Sequence, residues 1–187
     1  MKKEKTDGTE ASFPVTDISG PIGVVDETFV RRRYQNLTRL LIDKECTISS
    51  MESCTSGLLA SLITDTEGSS AIFKGAFVTY SNEAKVQMGV PHQVIDKYGV
   101  YSAETAVAMA EACRFAFGTD IAVGITGTFG NTDPKNADST PGEVFFAIAS
   151  EKETHSYHCV VPEQPSRLAY KLYMADVIWE QLIPLLR

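Results

Sequence analysis

Apolar positions along the chain fall into two rhythms that alternate. In "DETFVRRRYQNLTRLLIDKE", Phe29, Tyr34, Leu37, Leu40 and Leu41 recur at helical intervals, which predicts an amphipathic helix. "CTISSM" predicts a short strand, and residues 55–65 a helix whose Leu58, Leu59 and Leu62 point inward. "AIFKGAFVTYS" is rich in strand formers, "NEAKVQMG" reads as a short helix, and "PHQVIDKYG" as another that opens on Pro. "SAETAVAMAEACRFAFG" predicts a long helix closed by Gly118. "DIAVGIT" is apolar on both faces, as a buried strand is, and "GEVFFAIAS" with "THSYHCVV" predicts a hairpin. "QPSRLAYKLYMADVIWEQLIPLL" supplies a last helix. Alternating strands and helices of this kind predict an α/β domain in three layers around a mixed sheet.

Residues 1–24 are polar and turn-rich, with too few large apolar groups to offset the entropy of ordering, so they are expected to form a flexible tail ahead of one globular domain over 25–187. The 187 residues are 43% hydrophobic and 22% charged, enough for one well-buried core. A formal net charge of −7 argues against nonspecific binding to nucleic acid or to an anionic membrane. Arg31, Arg32 and Arg33 could form a phosphate patch, but three consecutive helical positions fan over about 200°, which favours a solvated face. Four cysteines, at 46, 54, 113 and 159, and three histidines, at 92, 155 and 158, match no zinc spacing, so no metal is expected. His155 and His158 fall on opposite faces of a strand and read as solvated. With no apolar run long enough to span a bilayer and no apolar leader, the expectation is a cytoplasmic protein with reduced thiols.

Two polar clusters could carry chemistry. "SSMESCTSGLLASLIT" places Ser53, Cys54, Thr55 and Ser56 where a strand hands over to a helix. Ser53 there is either a helix N-cap or a nucleophile beside the unpaired N–H groups of the helix, which could also hold an oxyanion or phosphate. Cys54 is a rival nucleophile or inert packing. In "VTYSNEAK", Tyr80 and Asn82 end a strand and Lys85 lies in the first turn of a helix, where the dipole disfavours a cation. Lys85 is either a solvated surface lysine or a base of lowered pKa. Gly124, Gly127 and Gly130 of "GITGTFG" suit a ligand approached by backbone or an ordinary turn.

"ESCTSGLLASLIT", "GSSAIFKGAFVTYSNEAKVQMGV", "YGVYSAETAVAMAEACR", "DIAVGITGTFG" and "PGEVFFAIA" occur in an order that resembles the C-terminal domain family of the competence/damage-inducible protein CinA. The likeness runs from about residue 28 to the end and is to stand-alone members, which include the nicotinamide mononucleotide deamidases; larger members add an N-terminal molybdopterin-binding-like domain, for which this length leaves no room. The resemblance implies an α/β/α sandwich and hydrolysis of nicotinamide mononucleotide to nicotinic acid mononucleotide and ammonia. It places the nucleophile on Ser53, a lysine base on Lys85 and the family's catalytic tyrosine on Tyr80, and the Lys85/Tyr80 pair can supply the proton for departing ammonia. Substrate contacts are expected at Thr55, Ser56, Gly57, Asn82, Thr126, Gly127 and Arg167, the arginine for the phosphate. It implies no cofactor, a small-molecule nucleotide as the binding partner, and a homodimer.

Two departures fall on the ligand side of the pattern. The family's S-C-T-G-G is Ser53-Cys54-Thr55-Ser56-Gly57 here, and its G-x-x-G-P-x-G loop has become Gly127-Thr128-Phe129-Gly130-Asn131, followed by "TDPKNADSTPG". A Ser/Lys amidohydrolase is the first expectation. A module that binds a pyridine nucleotide without turnover is the second, and an interaction domain for DNA uptake or repair proteins the third.

Overall fold

A computed structural model describes residues 13–186. Its strands are β1 (Val15–Ile18), β2 (Ile48–Glu52), β3 (Phe73–Val78), β4 (Ile121–Gly127), β5 (Glu143–Ser150) and β6 (Thr154–Val160). They form one sheet in the order β1-β6-β5-β4-β2-β3. β2 runs parallel to β3 and β4, and β1 runs parallel to β6; β5 is antiparallel to both β4 and β6. The helices are α1 (Glu27–Asp43), α2 (Leu58–Thr64), α3 (Asn82–Gln87), α4 (His92–Tyr98), α5 (Ala103–Phe117) and α6 (Arg167–Leu185). Helices cover both faces of the sheet, so the expected α/β/α sandwich with a mixed sheet is the fold.

Period-two alternation along the central strands divides the core. Ile48, Val123 and Ile125 pack with Leu37 and Leu41 of α1, Leu59 and Leu62 of α2, and Ile178 of α6. Met51 and Ala122 point the other way, onto Met109 and Cys113 of α5. Side-chain oxygens of Asp26, Ser81, Ser102 and Ser166 cap α1, α3, α5 and α6, and Gly118 ends α5 in the left-handed region at φ 61°. β2 and β4 are buried along their whole length, so the chain that leaves the end of β2 starts from a rigid support.

Three expectations need correction. Val15–Ile18, within the expected tail, is an edge strand with Val15 opposite Ser156 and Ile18 opposite Cys159; residues 1–12 of that tail lie outside the described residues. The strand is mostly exposed and is held by the open edge of β6, helped by Ser156 Oγ donating to the Pro14 carbonyl at 2.8 Å, so hydropathy gives no sign of it. His158 is not free in solvent: Nδ1 lies 2.8 Å from Asp17 and the ring stacks on Phe145. Among the arginines, Arg33 is not simply solvated either, since it ties α1 to α6 through Asp176 and Glu180 and lies over Phe29 and Trp179.

Candidate active site

β2 ends at Glu52, and the chain turns through residues 53–57 before α2 begins. The turn needs two left-handed residues in a row, Ser56 at φ 52° and Gly57 at φ 90°. Glycine meets this without strain, whereas Ser56 bears the Cβ penalty of about 1 kcal/mol. Alternation along β2 puts Glu52 on the same face as Ile48, beneath the start of α2, where it is 0% exposed. Its carboxylate accepts from the backbone N–H groups of Gly57 (2.9 Å), Leu59 (3.2 Å) and Ala60 (3.0 Å), and from Ser50 Oγ (3.0 Å).

Glu52 therefore caps α2, and Ser53 does not. The N-cap position is Gly57, which has no side chain to offer. The expectation that the N–H groups of this helix await an oxyanion or a phosphate is also corrected, because an internal carboxylate already occupies three of them. Sequence reasoning missed Glu52, although an acid on the inward face of a strand, just ahead of a helix start, is a readable sign of such a cap.

Freed from capping, Ser53 faces Lys85. Ser81 caps α3 through the Ala84 N–H (3.1 Å), and the first turn of that helix carries Lys85 inward to 2% exposure. Lys85 Nζ donates to Ser53 Oγ at 3.1 Å and to the Thr79 carbonyl at 2.9 Å. Burial, which disfavours the ammonium form, lowers its pKa to about 8 from the usual 10.5. Desolvation, and not the helix dipole invoked from the sequence, is the main cause. The surface alternative for Lys85 is thus set aside. Burial acts on Cys54 in the opposite sense and pushes its thiol up to about 12, which leaves almost no thiolate near neutral pH.

Ser53 and Lys85 open into a cavity of about 750 Å³ that Tyr80, Asn82, Gly127 and Arg167 also line. Gly127 is fixed by packing: a Cβ there would sit 2.6 Å from the Glu143 carbonyl oxygen. Arg167, the first residue of α6, donates to Asn131 Oδ1 and to Tyr80 Oη, both at 3.4 Å, with its guanidinium over Phe129. Tyr80 is 64% exposed, and its hydroxyl accepts from Arg167 rather than joining Ser53 and Lys85, so the expected Lys85/Tyr80 pair is not formed. Four expected substrate contacts lie outside the cavity lining. Thr55 is buried, Ser56 Oγ donates back to the Ser53 and Cys54 carbonyls, Gly57 holds the helix start, and Thr126 donates to the Val100 carbonyl at 2.9 Å.

In their place the structure brings in Tyr101, Asp133 and Asn136, which the sequence analysis did not single out. Asn136 accepts from Asn82 at 2.9 Å, and Tyr101 Oη donates to Asp133 at 2.7 Å, so the insertion-like "TDPKNADSTPG" forms a wall of the cavity. Among the described residues, no group of three or more His, Cys, Asp or Glu is placed to hold a metal ion, and no helix is long and apolar enough to cross a membrane.

The family model described as CinA C-terminal domain matches residues 31–177. The chain belongs to this family. A CinA-like protein of Geotalea daltonii is 45% identical over 108 residues, 57% of this chain and 26% of that protein. The CinA-like protein of Leptospira borgpetersenii serovar Hardjo-bovis (strain L550) is 39% identical over 129 residues, covering 67% of this chain and 30% of its own length. The chain thus spans less than a third of these curated CinA relatives. Of solved structures, the competence/damage inducible protein CihA from Agrobacterium tumefaciens superposes with a TM-score of 0.77 at 27% identity, over 84% of this chain and 96% of that one. The competence or damage-inducible protein from Enterobacter asburiae, at 22% identity, 84% and 98% coverage and a TM-score of 0.76, shares the CinA fold.

Proposed function

We propose that this CinA-family chain is an amidohydrolase that converts nicotinamide mononucleotide to nicotinic acid mononucleotide and ammonia, with Ser53 as nucleophile and Lys85 as its base. The observation that carries the proposal is a buried lysine of lowered pKa, 3.1 Å from a serine hydroxyl on the cavity wall. With a pKa of about 8, about a tenth of Lys85 is neutral at pH 7 and able to accept the Ser53 proton. Oγ then bonds to the carboxamide carbon, and the carbonyl oxygen takes the charge. The turn offers the Cys54 and Thr55 N–H groups, which have no oxygen acceptor among the described residues, as backbone donors for that oxyanion. Lys85 returns the proton to the departing nitrogen, the C–N bond breaks, and ammonia leaves an acyl-serine. Water next adds to the ester carbon and gives a proton to Lys85; the C–Oγ bond breaks, Lys85 passes that proton to Ser53 Oγ, and the acid leaves.

Tyr80 takes a different part from the one expected. With its hydroxyl on Arg167, it belongs with Arg167 and Asn131 in a grip for the nucleotide phosphate, and Lys85 alone moves protons. Ammonia release from nicotinamide mononucleotide by the wild type and by Ser53→Ala tests the proposal. Turnover by the wild type and none by the variant supports it. A ligand-induced thermal shift without ammonia would reject it in favour of a binding module.

A further inference from the structure

The segment "TDPKNADSTPG" places an anion, Asp133, in the same cavity as Ser53 and Lys85. Asp133 lines the cavity, and its carboxylate accepts from the Lys135 N–H (2.9 Å), Asn136 Nδ2 (2.6 Å) and Tyr101 Oη (2.7 Å). These bonds, the Lys135 N–H first, hold it below the ordinary carboxylate range, so it is charged at neutral pH. Asn136 is pinned to Asn82 at the start of α3, and Asp138 accepts from the Tyr101 N–H at 2.9 Å, so the segment is clamped on two sides. The cavity lining carries two hydrogen-bonded clusters, Arg167 with Asn131 and Tyr80, and Asp133 with Tyr101 and Asn136; Glu83 and Lys135 line it as well, and the Lys135 charge also acts on Asp133.

An anion there works against the base when the cavity is empty, because the Asp133 charge raises the proton affinity of Lys85. A substrate with a cationic ring next to its carboxamide removes that handicap, since the ring neutralises Asp133 and repels a proton on Lys85. A carboxylate beside an aromatic ring is also a common way to hold a flat organic cation. Resting on the amidohydrolase reading, we propose that Asp133 is a specificity-determining residue that selects N-substituted pyridinium carboxamides over neutral amides of the same shape.

The test is binding of nicotinamide mononucleotide and of its reduced form, which keeps the amide and the phosphate but has an uncharged ring. Calorimetry is done on Ser53→Ala and on Ser53→Ala with Asp133→Asn or Asp133→Glu, and thermal unfolding of each variant shows that it is folded. Ser53→Ala is expected to bind the oxidised form roughly tenfold or more tightly than the reduced one, as befits one ion pair in a partly screened site. Asp133→Asn should erase that ratio and Asp133→Glu keep most of it. If Asp133 only clamps the segment, Asp133→Asn weakens both ligands alike and leaves the ratio unchanged, which overturns the proposal. Equal binding of both forms by Ser53→Ala overturns it too. Ammonia release by the wild type is followed separately: its absence rejects the amidohydrolase reading, while the binding ratio still decides the role of Asp133.

Discussion

Replacing Lys85 by methionine tests the base by its effect on stability, without any assumption about substrate. Methionine keeps most of the volume and removes the charge. A lysine with a pKa of about 8 in the folded protein and 10.5 in the unfolded chain leaves the unfolded chain holding the proton between those two values. Wild-type stability accordingly rises with pH across that window and falls as pH drops through it. The full difference corresponds to about 3 kcal/mol, of which roughly 2 to 3 kcal/mol develops between pH 7 and pH 10. The variant lacks this slope. It does leave the Thr79 carbonyl and Ser53 Oγ without a donor, at a cost of about 1 to 3 kcal/mol that does not depend on pH. Urea unfolding of both proteins at pH 7 and pH 10 is the assay. Methionine is expected to be close to neutral at pH 7 and clearly destabilising at pH 10, with no turnover at either. Other groups titrate alike in both proteins and cancel in the difference. Equal differences at the two pH values would show that Lys85 titrates as an open lysine, and the case for a neutral base near pH 7 would lapse.

Ser53→Ala should abolish ammonia release and leave the unfolding midpoint nearly unchanged, because α2 is capped by Glu52; Cys54→Ala should stay active, and a dead Cys54→Ala with an active Ser53→Ala would transfer the nucleophile to the thiol. Glu52→Ala removes the acceptor for three helix N–H groups and Ser50, so a loss of about 3 kcal/mol or more in chemical unfolding is expected, with a loss of less than about 1 kcal/mol arguing that water replaces the carboxylate. Arg167→Ala should raise KM for nicotinamide mononucleotide at least about tenfold with little change in kcat, while use of free nicotinamide is unaffected; a fall in kcat alone would take the arginine out of phosphate binding.

How much of this was legible in the sequence depends on how local the cause was. The helices and the central strands announce themselves through periodicity, and Ser81, Ser102 and Gly118 sit at helix ends as short-range chemistry requires. β1 was hidden because its cause is remote: the free edge of β6, more than a hundred residues later, supplies the bonds that its own side chains do not call for. In the candidate site, the separation of Ser53 from Lys85 by 32 residues is bridged by two parallel strands that end together, β2 and β3, which no local pattern specifies, although the shared motifs pointed to both residues. The same strand alternation that turns Ser53 away from α2 turns Glu52 under it, so the residue before the hydroxyl satisfies the helix and leaves the hydroxyl to Lys85. An N-cap role for Ser53 was a sound expectation from a serine ahead of a helix. It failed because a buried carboxylate, with two oxygens and a full charge, outcompetes a hydroxyl for helix N–H groups.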